Sequence, residues 1–380
     1  MPFTPLEVKI SLQRLLVAVI LIIVPLNVVG FYLALQADTL MHQVQGAHFR
    51  AISRGAATLT AEFVNQRVTD VGAITRFPAV LAAVTAGNHE YERMGTAAMS
   101  ARMERIEGKW NTAEADTVVQ KMLASDVSQT LQHYREMNPN LLTITVSDQA
   151  GATIAATDRP LHYVQTNREY WQGLYGQGKG AIYIADVRYD EQTKAHYLGI
   201  GFPVLQEGTG RFAGAVNALV DVSTLFSLLN QEQIGSTGRV VLVRDDSTVV
   251  SATGVPASLK LTAEEYGAAR EALATLRGRQ TGYVVSGLPS GGNYLIGFAD
   301  TGLKEAYPNL GWTIIASQEE GEAFGPVRNL ARFAVVMTVL GLLMLTLLAA
   351  YVFMHTRERW ADIEVAHPER GRSAGAAQSN

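Results

Sequence analysis

Three aromatic side chains and one arginine lie within nine residues, in the stretch from Tyr163 to Trp171. The planar fork of arginine matches a carboxylate with two hydrogen bonds. Asp residues pair with an ammonium group, and aromatic faces and hydroxyls complete such a site. A ligand with both groups, such as a free amino acid, needs both kinds of partner, so we expect a small-molecule pocket here. The residues that would supply these partners are Tyr163, Arg168, Tyr170, Trp171, Asp186 and Asp221.

Each of these residues also has an ordinary structural role that the sequence leaves open. Tyr170 and Trp171 are large enough to belong to a core, and Arg168 and Glu169 are neighbours that could form a solvated surface pair. Asp221 ends an apolar strand and could only cap the helix that starts near Ser223, a common role for Asp.

Composition narrows the class of protein. The chain has 380 residues, 48% hydrophobic and 17% charged, with a formal net charge of −4 and no cysteine. This charge gives no basic surface for nucleic acid. The lack of cysteine excludes disulfides, thiolate catalysis and cysteine-bound metals. The sequence also has no His-Glu-x-x-His, serine-elbow or phosphate-loop motif, so we expect no enzyme, cofactor or metal site.

Two uncharged apolar runs, residues 15–35 and 333–353, are long enough for a hydrocarbon core of about 30 Å at about 1.5 Å per helical residue. We interpret the first as a retained transmembrane helix, with a cleaved signal peptide as the alternative. Two spans place both termini, residues 1–14 and 354–380, on one side of the membrane. Basic residues flank the spans on that side, which the positive-inside rule assigns to the cytoplasm. They are Lys9, Arg14, Arg357 and Arg359.

Residues 36–140 have helical character. Apolar residues recur every three or four positions in two stripes, which predicts a long helix that continues from the first span. Pro78 should end it. A second amphipathic segment ends at Asn138, and residues 86–115 indicate only loop and short helix. The two stripes are Leu40, Val44, Ala47 and Ala51, then Val64, Val68, Val71 and Ile74.

An internal repeat begins at residue 141. Four sequence landmarks recur in the same order at offsets of 97 or 98 residues, and Gly214, for example, recurs as Gly311. Each copy has the pattern of a β-hairpin, a middle stretch, further strands and a short helix, which predicts antiparallel-sheet units at 141–231 and 237–318. The long helix would cover both sheets. The expected fold class is therefore α+β, with two tandem PAS-like units between two transmembrane helices.

The two copies differ at the proposed pocket. The second copy has no aromatic cluster around an arginine, and Gln318 stands where the first copy has Asp221. A residue that only caps a helix would be tolerated in both copies. The difference therefore favours a ligand role in the first copy.

The long helix, the repeat and the strands within residues 181–226 resemble the double Cache family of extracytoplasmic sensor domains. In that family the domain lies between two membrane spans of bacterial chemoreceptors, histidine kinases and cyclases. The sequences that carry the resemblance are Tyr183-Ile184-Ala185-Asp186-Val187, Gly201-Phe202-Pro203-Val204, Gly214-Ala215-Val216 and Val220-Asp221-Val222-Ser223-Thr224-Leu225.

The spacing of Tyr163, Arg168 and the aromatic pair that follows is similar to the amino-acid-binding motif of that family. The resemblance implies that Arg168 and Trp171 hold a ligand carboxylate. It also implies that Tyr183 or Asp186, together with Asp221, holds the amine. An amine-binding pocket is the alternative, and it would use aromatic residues with Asp186, Asp190 and Glu191 and would not need the arginine.

By this resemblance we expect a two-pass receptor of the bacterial inner membrane, with its sensor domain outside the cytoplasm. Its membrane-distal unit, 141–231, would bind a small ligand, an amino acid first and an amine second. We expect a homodimer. The tail 354–380 is too short for an output domain. If the chain is complete, we expect signalling through a separate kinase, cyclase or chemotaxis protein, or through movement of its membrane helices against those of a second copy. A truncated product would instead lack its output domain. The alternative is an envelope scaffold or assembly protein that uses the same fold as an interaction module.

Overall fold

The computed structural model of the protein describes residues 12–190, 195–231, 234–252, 263–275, 280–325, 332–333 and 335–351. Residues 46–320 form one compact unit, and the terminal segments, up to residue 45 and from residue 321, form another. The helices are α1 (Leu12–Ile74), α2 (Pro78–Met94), α3 (Thr96–Lys109), α4 (Asp116–Leu123), α5 (Asp126–Met137), α6 (Glu169–Tyr175), α7 (Ser223–Asn230), α8 (Glu265–Thr275), α9 (Leu303–Ala306), α10 (Glu320–Ala323) and α11 (Val335–Tyr351).

Residues 46–320 contain two five-stranded antiparallel sheets, one in each copy of the repeat. The two copies are called the first and the second unit. The first has the strand order β2-β1-β5-β4-β3 and the second β7-β6-β10-β9-β8, so both copies of the repeat have the same topology. The strands are β1 (Leu141–Asp148), β2 (Thr153–Ala156), β3 (Tyr183–Asp190), β4 (Ala195–Leu205), β5 (Phe212–Asp221), β6 (Arg239–Arg244), β7 (Val249–Ala252), β8 (Thr281–Gly287), β9 (Asn293–Asp300) and β10 (Trp312–Glu319). The α+β class and the tandem PAS-like units are confirmed.

The glycine landmark of the repeat lies in a crowded place in both copies. A Cβ atom at Gly214 would lie 2.3 Å from the carbonyl oxygen of Ser147, and one at Gly311 would lie 2.3 Å from the side-chain carboxylate of Asp245. Glycine is needed at Gly214 because the atom in the way belongs to the backbone of β1. At Gly311 a larger residue would require the Asp245 side chain to move.

Helix α1 contacts both sheets, at Phe202 of β4 through Gly72 and at Gly297 of β9 through Phe49. Val64, Val68, Val71 and Ile74 are buried, as the second stripe predicts. The first stripe, residues 40–51, lies in the helix that it predicts, although all four of its residues are exposed.

The face that α1 buries at this end instead runs through Gly46, Phe49 and Ser53. A Cβ at Gly297 in β9 would be 2.4 Å from the carbonyl oxygen of Phe49. The Ser53 hydroxyl is buried and donates to that same oxygen at 3.0 Å. The buried face at this end contains a glycine and a serine, and neither counts as an apolar residue. A pattern of apolar residues at helical spacing therefore does not reveal this face.

The helical cover between α1 and the first strand is more regular than the sequence indicated. Pro78 is the first residue of α2, where proline lacks only a donor that would be unpaired anyway. Helix α2 then runs to Met94, and α3 follows after Gly95, whose φ of 76° breaks the helix. The prediction of loop and short helix for residues 86–115 is therefore wrong for most of that range.

The terminal segments contain the two apolar runs. The first run lies within α1, and the second overlaps α11, with residues 334 and 352–353 outside the described part of the chain. In the part that is described, no helix on its own is both long and apolar enough to cross a bilayer. One pair, Leu40–Ile74 with Pro78–Met94, meets those criteria together but is bent by 58°. The assignments of 15–35 and 333–353 as spans remain predictions.

Asp148, the last residue of β1, has a buried carboxylate. Its Oδ1 accepts the N–H groups of Ala150 and Ala152 at 2.9 and 3.0 Å. Burial raises the pKa of Asp148 from 3.8 to about 6, against the opposing effect of these N–H groups. A pKa raised by folding stabilises the folded state fully below the unfolded pKa, and this contribution is lost as pH rises through the folded pKa.

We therefore expect the Asp148 carboxyl to contribute about 1 kcal/mol less to stability at about pH 7 than at about pH 5. Asp148→Asn keeps an oxygen for the two N–H groups and removes the titration. Urea unfolding of wild type and variant at both pH values measures the difference, and other titrating groups cancel between the two proteins. An equal pH dependence in both would contradict the prediction.

Candidate functional site

A cavity of about 800 Å³ lies above the first sheet. Its floor contains Thr143 and Thr145 of β1, Asn217 and Leu219 of β5, and Gly199 of β4. These positions alternate along each strand, because successive side chains point to opposite faces of a sheet. The remaining lining residues are Asp158, Arg159, Pro160, Leu161, His162, Gln165, Asn167, Arg168, Glu169, Tyr170, Tyr183, Ala185, Arg188, Tyr189, Asp190 and Tyr197.

Helix α6 packs closely on the sheet beside this cavity. A Cβ at Gly201 in β4 would lie 2.8 Å from a methyl carbon of Leu174, so glycine allows the helix its close approach. Consecutive residues of a helix point about 100° apart, at 3.6 residues per turn. As a result, Tyr170 lines the cavity whereas Trp171 points into the adjoining core.

Arg168 is the residue immediately before α6, and its exposed side chain lines the cavity. Its guanidinium forms no ion pair or hydrogen bond with any residue that the structure describes. Other charged groups of the lining have partners. Arg159 pairs with Asp116, Arg188 with Glu169, Asp158 with Arg135 and His162 with Glu107.

Four tyrosines, at positions 170, 183, 189 and 197, bring aromatic faces and hydroxyls to the cavity. The Tyr170 hydroxyl donates to Gln165 Oε1 at 2.7 Å, and burial raises the pKa of Tyr170. The Tyr183 hydroxyl donates to Glu169 Oε1 at 2.6 Å. Burial and this carboxylate raise the pKa of Tyr183 to about 12. Both phenols are therefore neutral donors at ordinary pH.

Residues 158–162 form a wall of the cavity, and the segment that contains them is hydrogen-bonded to the end of α3. Trp110 Nε1 donates to the carbonyl oxygen of Pro160 at 2.7 Å. The Glu107 carboxylate accepts the N–H groups of Tyr163 and Val164 and contacts His162 Nδ1, at 2.7 to 2.9 Å. Burial alone would raise the pKa of Glu107, but these donors outweigh it and the pKa lies below its usual value. The wall is thus preorganised.

Two residues of the predicted site lie in apolar clusters and do not line the cavity. Tyr163 is 8% exposed and packs against Trp110 with a ring separation of 5.3 Å. Trp171 is also 8% exposed, stacked on Tyr175 at 5.2 Å and edge-on to Phe212 at 5.7 Å. The Nε1–H of Trp171 is buried and has no acceptor among the described residues.

The two predicted aspartates have partners outside the cavity lining. Asp186 faces the second sheet, where its Oδ2 lies 2.5 Å from Arg244 Nε and its Oδ1 accepts Trp312 Nε1 at 3.1 Å. Burial raises the pKa of Asp186, and Arg244 acts in the opposite direction. Asp221 Oδ1 accepts the N–H of Ser223 at 2.7 Å, which is the predicted capping contact at the start of α7.

The structure therefore brings Arg168, Tyr170 and Tyr183 together around one cavity, with Asp221 close to its floor. Asp221 follows Asn217 and Leu219 at alternate positions on β5, and it is paired in register with Tyr197. The floor residues, including Thr143, Asn217 and Gly199, are not among the site residues predicted from the sequence. The alternation along the predicted strands was the signal that could have found them.

A long helix that covers two five-stranded PAS-like units, with a cavity in the first, defines the class of tandem sensor domains. The chain belongs to the double Cache family, whose Cache domain model matches residues 41–327. This match confirms the resemblance inferred from the sequence.

Solved structures of sensor domains are similar to the chain. The sensory domain of the Campylobacter jejuni chemoreceptor Tlp3 (CcmL) with isoleucine bound is 10% identical, at a TM-score of 0.49, over 76% of this chain and 97% of that one. The ligand-binding domain of the Pseudomonas aeruginosa PAO1 chemoreceptor PctB with L-Arg is 14% identical, at a TM-score of 0.43, over 73% and 97%. Among curated proteins, none is significantly similar to the chain in sequence.

Proposed function

We propose that this Cache protein is a receptor that binds a small ligand in the cavity of its first unit, an amino acid first and an amine second. The observation that carries the proposal is the guanidinium of Arg168, which lines the cavity without a partner among the described residues. A guanidinium without a protein partner in a concave site can bind a ligand carboxylate through two parallel hydrogen bonds.

An ammonium group would be held by the tyrosines and acids near the other strands. Tyr197 is paired with Asp221 across β4 and β5, and Tyr189 lies on the neighbouring strand β3. Aromatic faces attract a cation, and a carboxylate that already accepts one N–H retains capacity for further donors. Asp221 would therefore both cap α7 and contact the ligand amine.

Thermal unfolding of the complete chain with matched ligand sets tests this proposal. Each set contains an L-amino acid, the carboxylic acid that lacks its amine, and the amine that lacks its carboxylate. L-leucine, 4-methylpentanoate and 3-methylbutylamine form one such set. We expect at least one amino acid to raise the midpoint of unfolding more than its two partners do. Stabilisation by an amine alone would favour the amine-binding alternative, and no response to any set would refute a receptor for these ligands.

The cellular setting belongs to the same proposal. With residues 15–35 and 333–353 as membrane spans, the Cache domain would lie outside the cytoplasm of a bacterial inner membrane. A homodimer would then relay ligand binding to a separate kinase, cyclase or chemotaxis protein. A ligand can shift the receptor between two packings only by its difference in affinity for them. Isolation in a stable complex that does not respond to ligand would favour the scaffold alternative.

A further inference from the structure

Strand β3 lines two cavities. Tyr183, Ala185 and Arg188 line the ligand cavity and also a smaller cavity, of about 410 Å³, on the side of the second unit. Among the described strands, β3 is at the edge of the first sheet and pairs with β4 alone. An edge strand lacks one of the two ladders that hold an inner strand. The position of this cavity wall therefore depends on contacts outside its own sheet.

The middle of β3 contains a β-bulge. Ala185 is paired with Gly199, and Arg188 is paired with Tyr197, so Asp186 and Val187 stand opposite the single residue between the two partners. A bulge bends its strand and redirects the side chains next to it. It separates Ala185, which lines the ligand cavity, from Asp186, which is directed toward the second sheet.

Two residues of the second sheet contact this bulge. Arg244 ends β6, Trp312 begins β10, and the two are paired in register. The Arg244 guanidinium reaches Asp186 Oδ2 at 2.5 Å and donates through Nη2 to the carbonyl oxygen of Val187 at 2.9 Å. Trp312 is 1% exposed and donates its indole N–H to Asp186 Oδ1. Asp186 Oδ1 also accepts the Val187 N–H at 2.7 Å within the bulge, and the other contacts of this carboxylate and of the Val187 carbonyl come from the second unit.

We propose that Arg244 and Trp312 are positioning residues for the ligand cavity, which they act on through Asp186 and the bulge of β3. Asp186 joins the two units and does not contact the ligand. Any ligand that shifts β3 must then also shift the start of β10, which gives the second unit a direct physical link to the cavity. That this cavity holds a ligand rests on the proposed function, whereas the positioning of its wall does not.

Hydrogen exchange of the complete, ligand-free chain tests the proposal. In Arg244→Gln we expect the amides of β3 to exchange about 10-fold faster than in wild type, because the strand loses a charge-assisted bond at its bulge. The amides of β1 should be unchanged. The matched control is Lys304→Gln, which removes the ion pair of the adjacent residue, Asp245, within the second unit. Unchanged exchange in β3, or an equal increase in the control, would overturn the proposal.

A second pair of variants separates positioning from a general loss of stability. Asp186→Asn removes the charge that Arg244 meets and keeps an acceptor for Trp312. If Asp186 and Arg244 act through one contact, their effects should not be additive. The β3 amides of the double variant, Asp186→Asn with Arg244→Gln, should then exchange no faster than those of Arg244→Gln alone. Effects that multiply would show independent roles and would contradict the proposal. Because no ligand is used, a failed ligand screen and a failed positioning test are distinct results.

Discussion

Arg168→Ala is expected to weaken the binding of a carboxylate-bearing ligand by about 100-fold, or about 3 kcal/mol, the upper end of what a charge-assisted hydrogen bond contributes. Arg168 lines the cavity and has no partner among the described residues, so its donors are available to the ligand alone. Titration calorimetry with the amino acid that stabilises the wild type most would measure the loss.

Two further variants test whether the loss of affinity is specific to the Arg168 guanidinium. Arg168→Lys keeps the charge but loses the fork, so we expect an affinity between those of wild type and Arg168→Ala. Arg211→Ala is the matched control, because that arginine is exposed in the same unit but does not line the cavity. The Arg168 side chain makes no capping bond to α6, so the folded state should change by no more than about 0.5 kcal/mol. Equal affinity in Arg168→Ala and wild type would remove the basis of the proposed function.

Sequence patterns were informative about this fold where one physical rule acts along the chain. Strand alternation and the repeat predicted two similar sheets, and the stripe from Val64 to Ile74 predicted the buried face of α1. The stripe at Leu40 and Val44 predicted the helix but not its buried face. That face begins at Gly46 and includes Ser53, and an apolar pattern does not detect glycine or serine.

The site was harder to predict, because it depends on directions that spacing does not give. Tyr170 and Trp171 are adjacent in the sequence, but the turn of α6 directs one into the cavity and the other into the core. The bulge in β3 directs Asp186 toward Arg244, and nothing in the sequence around Ala185 marks it. The asymmetry at Asp221 and Gln318 was an argument for ligand contact, and that contact stays a prediction.

Trp110→Ala is expected to destabilise the protein by about 3–5 kcal/mol, the usual cost of removing a large aromatic side chain from a core. Trp110 is fully buried, with its ring on Tyr163 and the Arg159 guanidinium 5.7 Å from it. The variant also leaves the carbonyl oxygen of Pro160 without its indole donor. Urea unfolding followed by circular dichroism would measure the loss.

The hydrogen bond from Trp110 to Pro160 joins the core to the cavity wall. We therefore expect the loss of Trp110 to weaken ligand binding as well as stability. Pro160 and His162 line the cavity, and their segment is fixed against α3 by Trp110 and Glu107. Trp110→Phe keeps an aromatic ring and loses the donor, so we expect a smaller loss of stability, about 1–3 kcal/mol. Leu161→Ala is the control in the same segment, because its side chain is 76% exposed and should change stability by no more than about 0.5 kcal/mol. If Leu161→Ala were as destabilising as Trp110→Ala, the segment would owe its position to the loop itself and not to the buried indole.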